Sequence, residues 1–451
     1  MAIMEWAREK MDRTITTLVI VFLSIFVIYL LCPLAMSTDS RWSIYFAMSI
    51  LREHNVDLDE YAGLMEDGDF RVAYVNGHIY SFFPLAVPVL ITPYVWAVDK
   101  VFPLFYSTDL ATYLSQNFPN EFTAKIEKVA ASFIAALSAA VVFLLASSQL
   151  NRRRALLVTF IFAFATPMLS TASRALWQHG MSALCLTVVL WSLLQKEQTI
   201  GWRSLAGFLL GISYVVRPTN SISVVLITLY VLYNDRKKFI YYFICVLMPL
   251  ALLLAHSWLT YDMILPPYYL PQRLGTNPRL LEALLGNLVS PNRGLFISSP
   301  ILLFSAVGVY LQAKKGQLSL NHIDPYLLLT LIGHWFVISS FEYWDGGWSL
   351  GPRFFTDMIP YLVYFLLPVL REIATWRSHR VNGSFAIAMV LSTLIHFRYV
   401  TSIYPMMWNT KPVALLDAPE RVWDLTDLQM LKGFCADKLE GKAPACWFPP
   451  D

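Results

Sequence analysis

Charge is what this sequence has least of: 34 basic and 31 acidic side chains in 451 residues, 14% charged against 57% hydrophobic. Soluble domains carry about a quarter of their residues charged, so the deficit excludes an ordinary water-soluble protein. The net charge of +3 is too small for a nucleic-acid partner to be read from it. Cysteine is scarce too. Five residues make no disulfide framework; Cys32, Cys185 and Cys245 fall inside apolar runs, where packing explains them. Cys435 and Cys446 lie eleven apart in a polar C-terminal segment and would pair only in an oxidising compartment. No P-loop and no Gly-rich dinucleotide fingerprint stands in a suitable setting. A cleavable leader is not expected either, since the apolar run from Thr14 to Met36 follows Arg8, Lys10 and Arg13 and is too long for a signal core.

What the chain does have is apolar runs long enough to span a bilayer. Eleven are read, at 14–36, 126–150, 155–172, 181–195, 203–217, 219–233, 239–260, 299–313, 325–340, 354–370 and 384–400. The loops alternate in basic charge. Arg152 to Arg154, Lys196 and Arg203, Arg236 to Lys238, Lys314 and Lys315, and Arg371, Arg377 and Arg380 all fall on the side of the N-terminal Arg8, Lys10 and Arg13. The positive-inside rule makes that side cytoplasmic. A further run, Phe82 to Val98, would invert the pattern if it crossed, and with Pro84, Pro88 and Pro93 it is read as a juxtamembrane helix or re-entrant segment. The expected fold is an all-α polytopic membrane protein of about eleven transmembrane helices with external juxtamembrane helices. Residues 1–400 form the membrane domain, with an external loop at 37–125, and 401–451 an external tail. The cytoplasmic loops are short, leaving no room for a domain that binds a soluble nucleotide sugar.

The unusual polar residues gather on the external side. Asp39 directly follows the first span and precedes Trp42, Tyr45, Phe46, Met48 and Leu51, which have the spacing of an amphipathic helix lying on the bilayer. Capping that helix would explain the aspartate without catalysis. His179 is external and could orient an acceptor, bind phosphate or simply pack, whereas His256, His334 and His396 lie within spans. Asp57-Leu58-Asp59-Glu60 and Glu66-Asp67-Gly68-Asp69 match no calcium-loop spacing and are read as solvated. No metal ligands are assigned. No cofactor is expected, and a divalent metal has no support in the sequence.

Several stretches in order along the chain resemble the glycosyltransferase C superfamily, polytopic enzymes that take sugar from a polyprenyl-phosphate carrier and include protein O-mannosyltransferases and lipid A aminoarabinose transferases. They are Asp39 with its following helix, Asn76-Gly77-His78-Ile79-Tyr80-Ser81-Phe82-Phe83-Pro84, Leu176-Trp177-Gln178-His179, Val216-Arg217-Pro218-Thr219, Ser290-Pro291-Asn292-Arg293-Gly294-Leu295-Phe296, Trp344-Asp345-Gly346-Gly347-Trp348-Ser349-Leu350-Gly351-Pro352-Arg353-Phe354 and Arg421-Val422-Trp423-Asp424. The resemblance implies an inverting transferase that moves a sugar from a polyprenyl-phosphate donor to a hydroxyl of a glycan, lipid or protein, in cell-envelope glycan biosynthesis. It implies Asp39 as general base. Many relatives carry a second acidic residue where this chain has Ser40. A leaving phosphate needs fixed cations: Arg353 first, then Arg293, Arg217, Arg174 and Arg41, although each could also snorkel to headgroups. Trp344, Asp345, Trp348 and Tyr343 resemble a sugar-stacking surface or an interfacial aromatic belt; His179, His78 and Tyr80 join them as sugar or acceptor contacts. The implied setting is a multi-pass prokaryotic plasma (inner) membrane, with the N-terminus cytoplasmic and the active site and tail periplasmic or extracellular. A polymerase or ligase using a diphosphate-linked donor, or a lipid or solute transporter, are the competing readings; no internal repeat of the transporter kind is found.

Overall fold

The computed structural model describes residues 2–434 except 117–120, 276 and 374–377, with the backbone alone for 2–13, 273 and 274. Cys435 and Cys446 lie outside the described residues. Helix α1 (Ala2–Leu31) leads to a short helix α2 (Ser43–Arg52), a hairpin of β1 (Val72–Val75) and β2 (His78–Ser81), and α3 (Ala86–Val101). Helices α4 (Leu110–Gln116), α5 (Glu121–Ser147), α6 (Arg152–Phe164), α7 (Gln178–Leu193), α8 (Ile200–Val216), α9 (Ser221–Asn234) and α10 (Arg236–Tyr261) follow. The second half holds α11 (Leu280–Val289), α12 (Leu295–Ser298), α13 (Leu303–Lys314), α14 (Asp324–Ser339), α15 (Ile359–Tyr364), α16 (Leu366–Glu372), α17 (His379–Thr401) and α18 (Tyr404–Met407). A helix occupies each of the eleven apolar stretches read from the sequence. Among the described residues, six segments are long and apolar enough to cross a membrane: Thr14–Leu31, Ala86–Leu104, Glu121–Ser147, Arg236–Tyr261, Arg353–Glu372 and His379–Thr401. The fold is all-α and multi-pass.

Lipid is as apolar as leucine, so helices in a membrane hold together by close packing rather than by escape from water. The sequence Gly207-Phe208-Leu209-Leu210-Gly211 does this for α8 and α10. A Cβ on Gly207 would lie 2.2 Å from the Tyr242 carbonyl oxygen, and one on Gly211 2.5 Å from that of Val246. Outward positions such as Leu252 and Leu259 on α10 remain exposed, while Tyr242 and Val246 are buried.

The loops sort into two ends by their own contacts. At one, Arg154 Nη1 donates to the Arg371 carbonyl, Arg371 Nη2 to Gln149, Arg203 Nε to Asp235 at 2.8 Å, and Lys315 pairs with Glu372. The basic clusters therefore share one end, as the alternation of charge requires. At the other, the segments 37–43, 173–177, 290–294, 343–353 and 402–434 are bonded to one another, for example Met36 N–H to the Arg174 carbonyl and Asn292 Nδ2 to the Arg421 carbonyl. The chain after α17 is folded onto these loops.

Two local expectations change. Helix α2 is not an amphipathic helix on a bilayer surface: Ser43 to Ser49 are all buried, enclosed in a second core that contains Leu58, Tyr61, Val72, Ile79, Ile91 and Val95. Residues from α3, the hairpin and the 59–64 turn wrap the polar side that spacing alone assigned to water. The run Phe82 to Val98, expected not to cross, contains a helix that falls within Ala86–Leu104, a segment long and apolar enough to cross a membrane. It begins only at Ala86, tolerates Pro93 inside, and packs on α2, where Arg52 Nη2 reaches Asp99 at 2.8 Å.

Candidate active site

Helix α1 ends at Leu31 and Pro33 follows, so the last carbonyls of α1 need other donors. Two cations supply them. Lys128 Nζ donates to the carbonyls of Leu30 and Cys32 at 3.0 and 2.6 Å, and Arg174 to those of Tyr29, Cys32 and Leu34 at 2.5, 3.1 and 3.2 Å. Positive charge at a helix C-terminus also meets the negative end of the dipole. This fixes where the following loop, Ser37 to Ser40, emerges.

Asp39 does not cap α2. Trp42 occupies the cap position, its side chain making no capping bond, and the Asp39 carboxylate accepts from Arg353 Nη2. Arg353 stands where the loop 343–353 enters the membrane helices. Gly346 and Gly347, at φ +80° and +58°, let that loop turn back in a conformation that costs other residues a steric clash. The guanidinium of Arg353 lies 3.9 Å from the centre of the Trp177 ring, and its Nε donates to His179 Nε2 at 3.2 Å.

His179 continues the chain of contacts. Its Nε2 faces Arg353 Nε and, at 3.4 Å, Arg217 Nη1. Guanidinium groups only donate, so Nε2 is the acceptor and the ring proton sits on Nδ1. That Nδ1–H donates to Asp357 Oδ2 at 3.1 Å, and Arg217 Nε pairs with the same oxygen at 2.8 Å. His179 and Asp357 are wholly buried and Arg217 nearly so. Asp39, Arg353, His179, Asp357 and Arg217 thus form one polar chain leading from a surface carboxylate into the helix bundle. A cleft opens at its outer end, with Asp39, Ser40, Trp42, Phe83, Trp177 and Gln178 on its walls.

The remaining residues singled out in the sequence take other places. Arg174 is buried on the carbonyls already named. Arg293 is buried as well, donating to Gln429 Oε1 and Asn409 Oδ1 at 2.6 Å each and to the Gly347 carbonyl at 3.0 Å; burial lowers its basicity to about 10, although Asp345 opposes this. It ties the folded-back C-terminal chain to the loop that carries Arg353. Trp344 is buried against Gly286, where an added Cβ would meet its ring at 2.1 Å. Tyr343 and Trp348 are exposed, and Asp345 accepts from the Gly347 N–H at 2.6 Å. Arg41 is half-exposed; burial lowers its basicity first, with Arg71 adding to this while Glu66, Asp69 and Glu127 oppose it. The hairpin turns at Asn76-Gly77, both with positive φ, the two-residue turn that asparagine and glycine favour. It places Ser81 and Phe83 in the cleft wall, while Tyr80 lies against the Tyr261 ring at 5.9 Å.

The two acidic stretches are more than solvated surface. Asp69, with no side-chain exposure, accepts from Trp42 Nε1 at 3.0 Å and Arg71 Nε at 2.5 Å, pinning a residue of the cleft wall. Desolvation raises its carboxyl, and the Arg71 and Trp42 donors outweigh that and lower it. Asp59 accepts from the Ile79 N–H at 2.7 Å and contacts His78 Nδ1 at 2.6 Å. The Asp59 carboxylate raises the His78 imidazole above its ordinary value. Desolvation opposes the converse shift, yet Asp59 is lowered by Ile79 and His78. Among the described residues, Asp57, Asp59 and His78 form the group whose ligand-type atoms converge, all within 4.8 Å of one another. Of the histidines in spans, His396 bridges Ser170 and Ser299 at 2.8 and 2.7 Å, His334 Nε2 contacts the Phe354 carbonyl at 2.9 Å, and His256 Nδ1 contacts Thr260 Oγ1 at 3.2 Å.

Sequence reading missed two carboxylates. Glu127, on α5, is wholly buried and contacts Ser37 and Ser40 on either side of Asp39. Asp357 organises His179 and Arg217. Both are acidic residues inside apolar runs, and that oddity alone was the signal available.

No family model and no curated protein matches the chain. Among solved structures its fold is similar to that of ArnT from Cupriavidus metallidurans bound to undecaprenyl phosphate, at 14% identity over 88% of this chain and 64% of that one, TM-score 0.48. The apo state of that protein gives 12% identity over 91% and 65%, TM-score 0.46. The archaeal oligosaccharyltransferase AglB from Archaeoglobus fulgidus, in complex with an inhibitory peptide and a dolichol-phosphate, gives 12% identity over 90% and 59%, TM-score 0.48. The chain spans less than two thirds of the length of these proteins. The likeness is one of fold alone.

Proposed function

We propose that this chain is a membrane glycosyltransferase that moves a sugar from a polyprenyl-phosphate carrier to an acceptor hydroxyl, at the periplasmic or extracellular face of the inner membrane, in cell-envelope glycosylation. The observation that carries the reading is Asp39: a carboxylate held by Arg353 at the head of a cleft, at the end of the bundle away from the basic loops. Such a carboxylate has the chemistry of a general base. The acceptor hydroxyl gives its proton to Asp39 as its oxygen bonds to the anomeric carbon. The bond from that carbon to the carrier phosphate breaks on the opposite side, its electron pair stays on the phosphate, and the anomeric centre is inverted. Arg353, joined by Arg41, supplies positive charge for the phosphate; Arg217, Arg174 and Arg293 keep the site assembled. Phe83, half-buried on the cleft wall, offers an apolar face to a sugar ring. No metal or cofactor takes part in this scheme. ArnT bound to undecaprenyl phosphate and AglB bound to a dolichol-phosphate are the fold relatives with ligands of this class.

The test is single-turnover release of polyprenyl phosphate from a panel of polyprenyl-phosphate sugars by the protein in nanodiscs, with candidate acceptors and with or without EDTA. Release that depends on one sugar, survives EDTA and vanishes in Asp39→Asn supports the reading. Turnover unaffected in Asp39→Asn, or no donor bound at all, overturns it in favour of a ligase with a diphosphate-linked donor or a transporter.

A further inference from the structure

Glu127 has no part in the scheme above, yet it is a fully buried carboxylate beside the proposed base. Its Oε1 accepts from Ser37 Oγ at 2.6 Å and its Oε2 from Ser40 Oγ at 2.5 Å. Those two serines bracket Asp39. The Leu176 N–H donates to the same carboxylate, and the next residue, Trp177, carries the ring beneath Arg353. One side chain on α5 therefore joins the two segments that present Asp39 and Trp177, and these are the two groups that flank the Arg353 guanidinium. The neighbouring Thr38 Oγ1 is buried with no hydrogen-bond partner, so the hydroxyls that fasten this loop to α5 are those of Ser37 and Ser40. Each of the two carboxyl oxygens is held by a different serine, and this bidentate arrangement fixes direction as well as distance.

We propose that Glu127 is a positioning residue: through Ser37, Ser40 and the Leu176 amide it clamps the Asp39 loop and the Trp177 segment to α5, setting the carboxylate of Asp39 against Arg353. Its importance for transfer rests on the reading of Asp39 as the base; the clamp itself does not. Glutamine at 127 preserves the clamp, because its carbonyl accepts from one serine and its amide donates to the other after that hydroxyl rotates. Alanine removes it, and so does replacing both serines.

The test needs no sugar donor. Carboxyl groups of the full-length protein in nanodiscs are labelled with a water-soluble carbodiimide and glycine methyl ester, and each site is read by peptide mass spectrometry. Pairing with Arg353 shields Asp39. In Glu127→Ala its labelling rises about tenfold, equivalent to about 1.4 kcal/mol of lost pairing, while Asp235, Asp324 and Asp357 label as in the wild type. The Ser37→Ala, Ser40→Ala double variant matches it, and Glu127→Gln stays near the wild type. Unchanged Asp39 labelling in Glu127→Ala overturns the proposal. So does a rise at all four aspartates together, which marks general loosening, or a Glu127→Gln variant as reactive as Glu127→Ala beside an unaffected serine variant, which marks action by charge alone. A clamp upheld by labelling in a protein that transfers no sugar would separate this inference from the transferase reading.

Discussion

Asp39 and Arg353 lie 314 positions apart in the chain and are joined as an ion pair at the mouth of the cleft, the carboxylate 19% exposed and the guanidinium 9%. The pair sits between the protein surface and the buried chain of His179, Asp357 and Arg217 that holds the arginine still. In the proposed mechanism Asp39 is the base, and Arg353 beside it turns a remaining N–H toward the phosphate.

Asp39→Asn keeps the size of the side chain and removes its capacity to take a proton. Single-turnover transfer falls by about 10²–10⁴-fold, the usual contribution of a positioned base, while equilibrium binding of the donor, measured by scintillation proximity, stays within reach of the wild type.

Arg353 makes three different contacts: a carboxylate, an imidazole nitrogen and an aromatic face. Lysine has no planar fork and cannot make them together. Arg353→Lys therefore loses transfer nearly as severely as Arg353→Ala in the same assay, and Asp39 becomes more reactive to carbodiimide in both.

Asp357 is the shared partner of His179 and Arg217 and is itself fully buried. Asp357→Ala leaves the Arg217 charge in the interior with no carboxylate, a loss of about 3–5 kcal/mol. A thermal unfolding scan in detergent reads this as a large drop in Tm. Asp357→Asn, which retains a carbonyl acceptor, falls between.

Gly207 and Gly211 admit the backbone of α10. Gly207→Ala forces a methyl into the Tyr242 carbonyl and lowers stability by about 1–3 kcal/mol, again as a fall in Tm, with no cleft residue touched.

The His78–Asp59 pair has a definite pH window. His78 is raised above 6.5 by Asp59, so its contribution is complete below 6.5 and fades as pH climbs through the raised value. Asp59 is lowered below 3.8, so its contribution is complete above 3.8 and fades as pH falls through the lowered value. The pair is strongest between about 4 and 6.5. In an NMR titration, Asp59→Asn brings the His78 midpoint down toward its ordinary value.

How far local pattern reaches is visible in particular elements. Helices such as α5, α10 and α17 were legible because an apolar run of sufficient length has one stable form in a bilayer, where every backbone group must bond within its own segment. The grouping of Arg152 to Arg154, Arg203 and Arg371 at one end was legible because charge placement acts loop by loop. Helix α2 was misread, since its apolar stripe describes one face and says nothing of what covers the other. Asp69 was read as solvated for the same reason: burial of a loop residue depends on which ring or guanidinium comes to meet it.

What the sequence determined by itself is the all-α, multi-pass fold, the sidedness of the basic loops, and the choice of Asp39 and Arg353 as residues worth weighing. Only the tertiary structure decided that these two meet, that Arg174 and Lys128 finish α1, and that Glu127 gathers Ser37, Ser40 and Leu176 around the same point. The reason is physical: helix formation and span length depend on neighbours within a turn or two, whereas a polar contact across the bundle exists only once helices far apart in sequence have packed at a fixed distance and rotation.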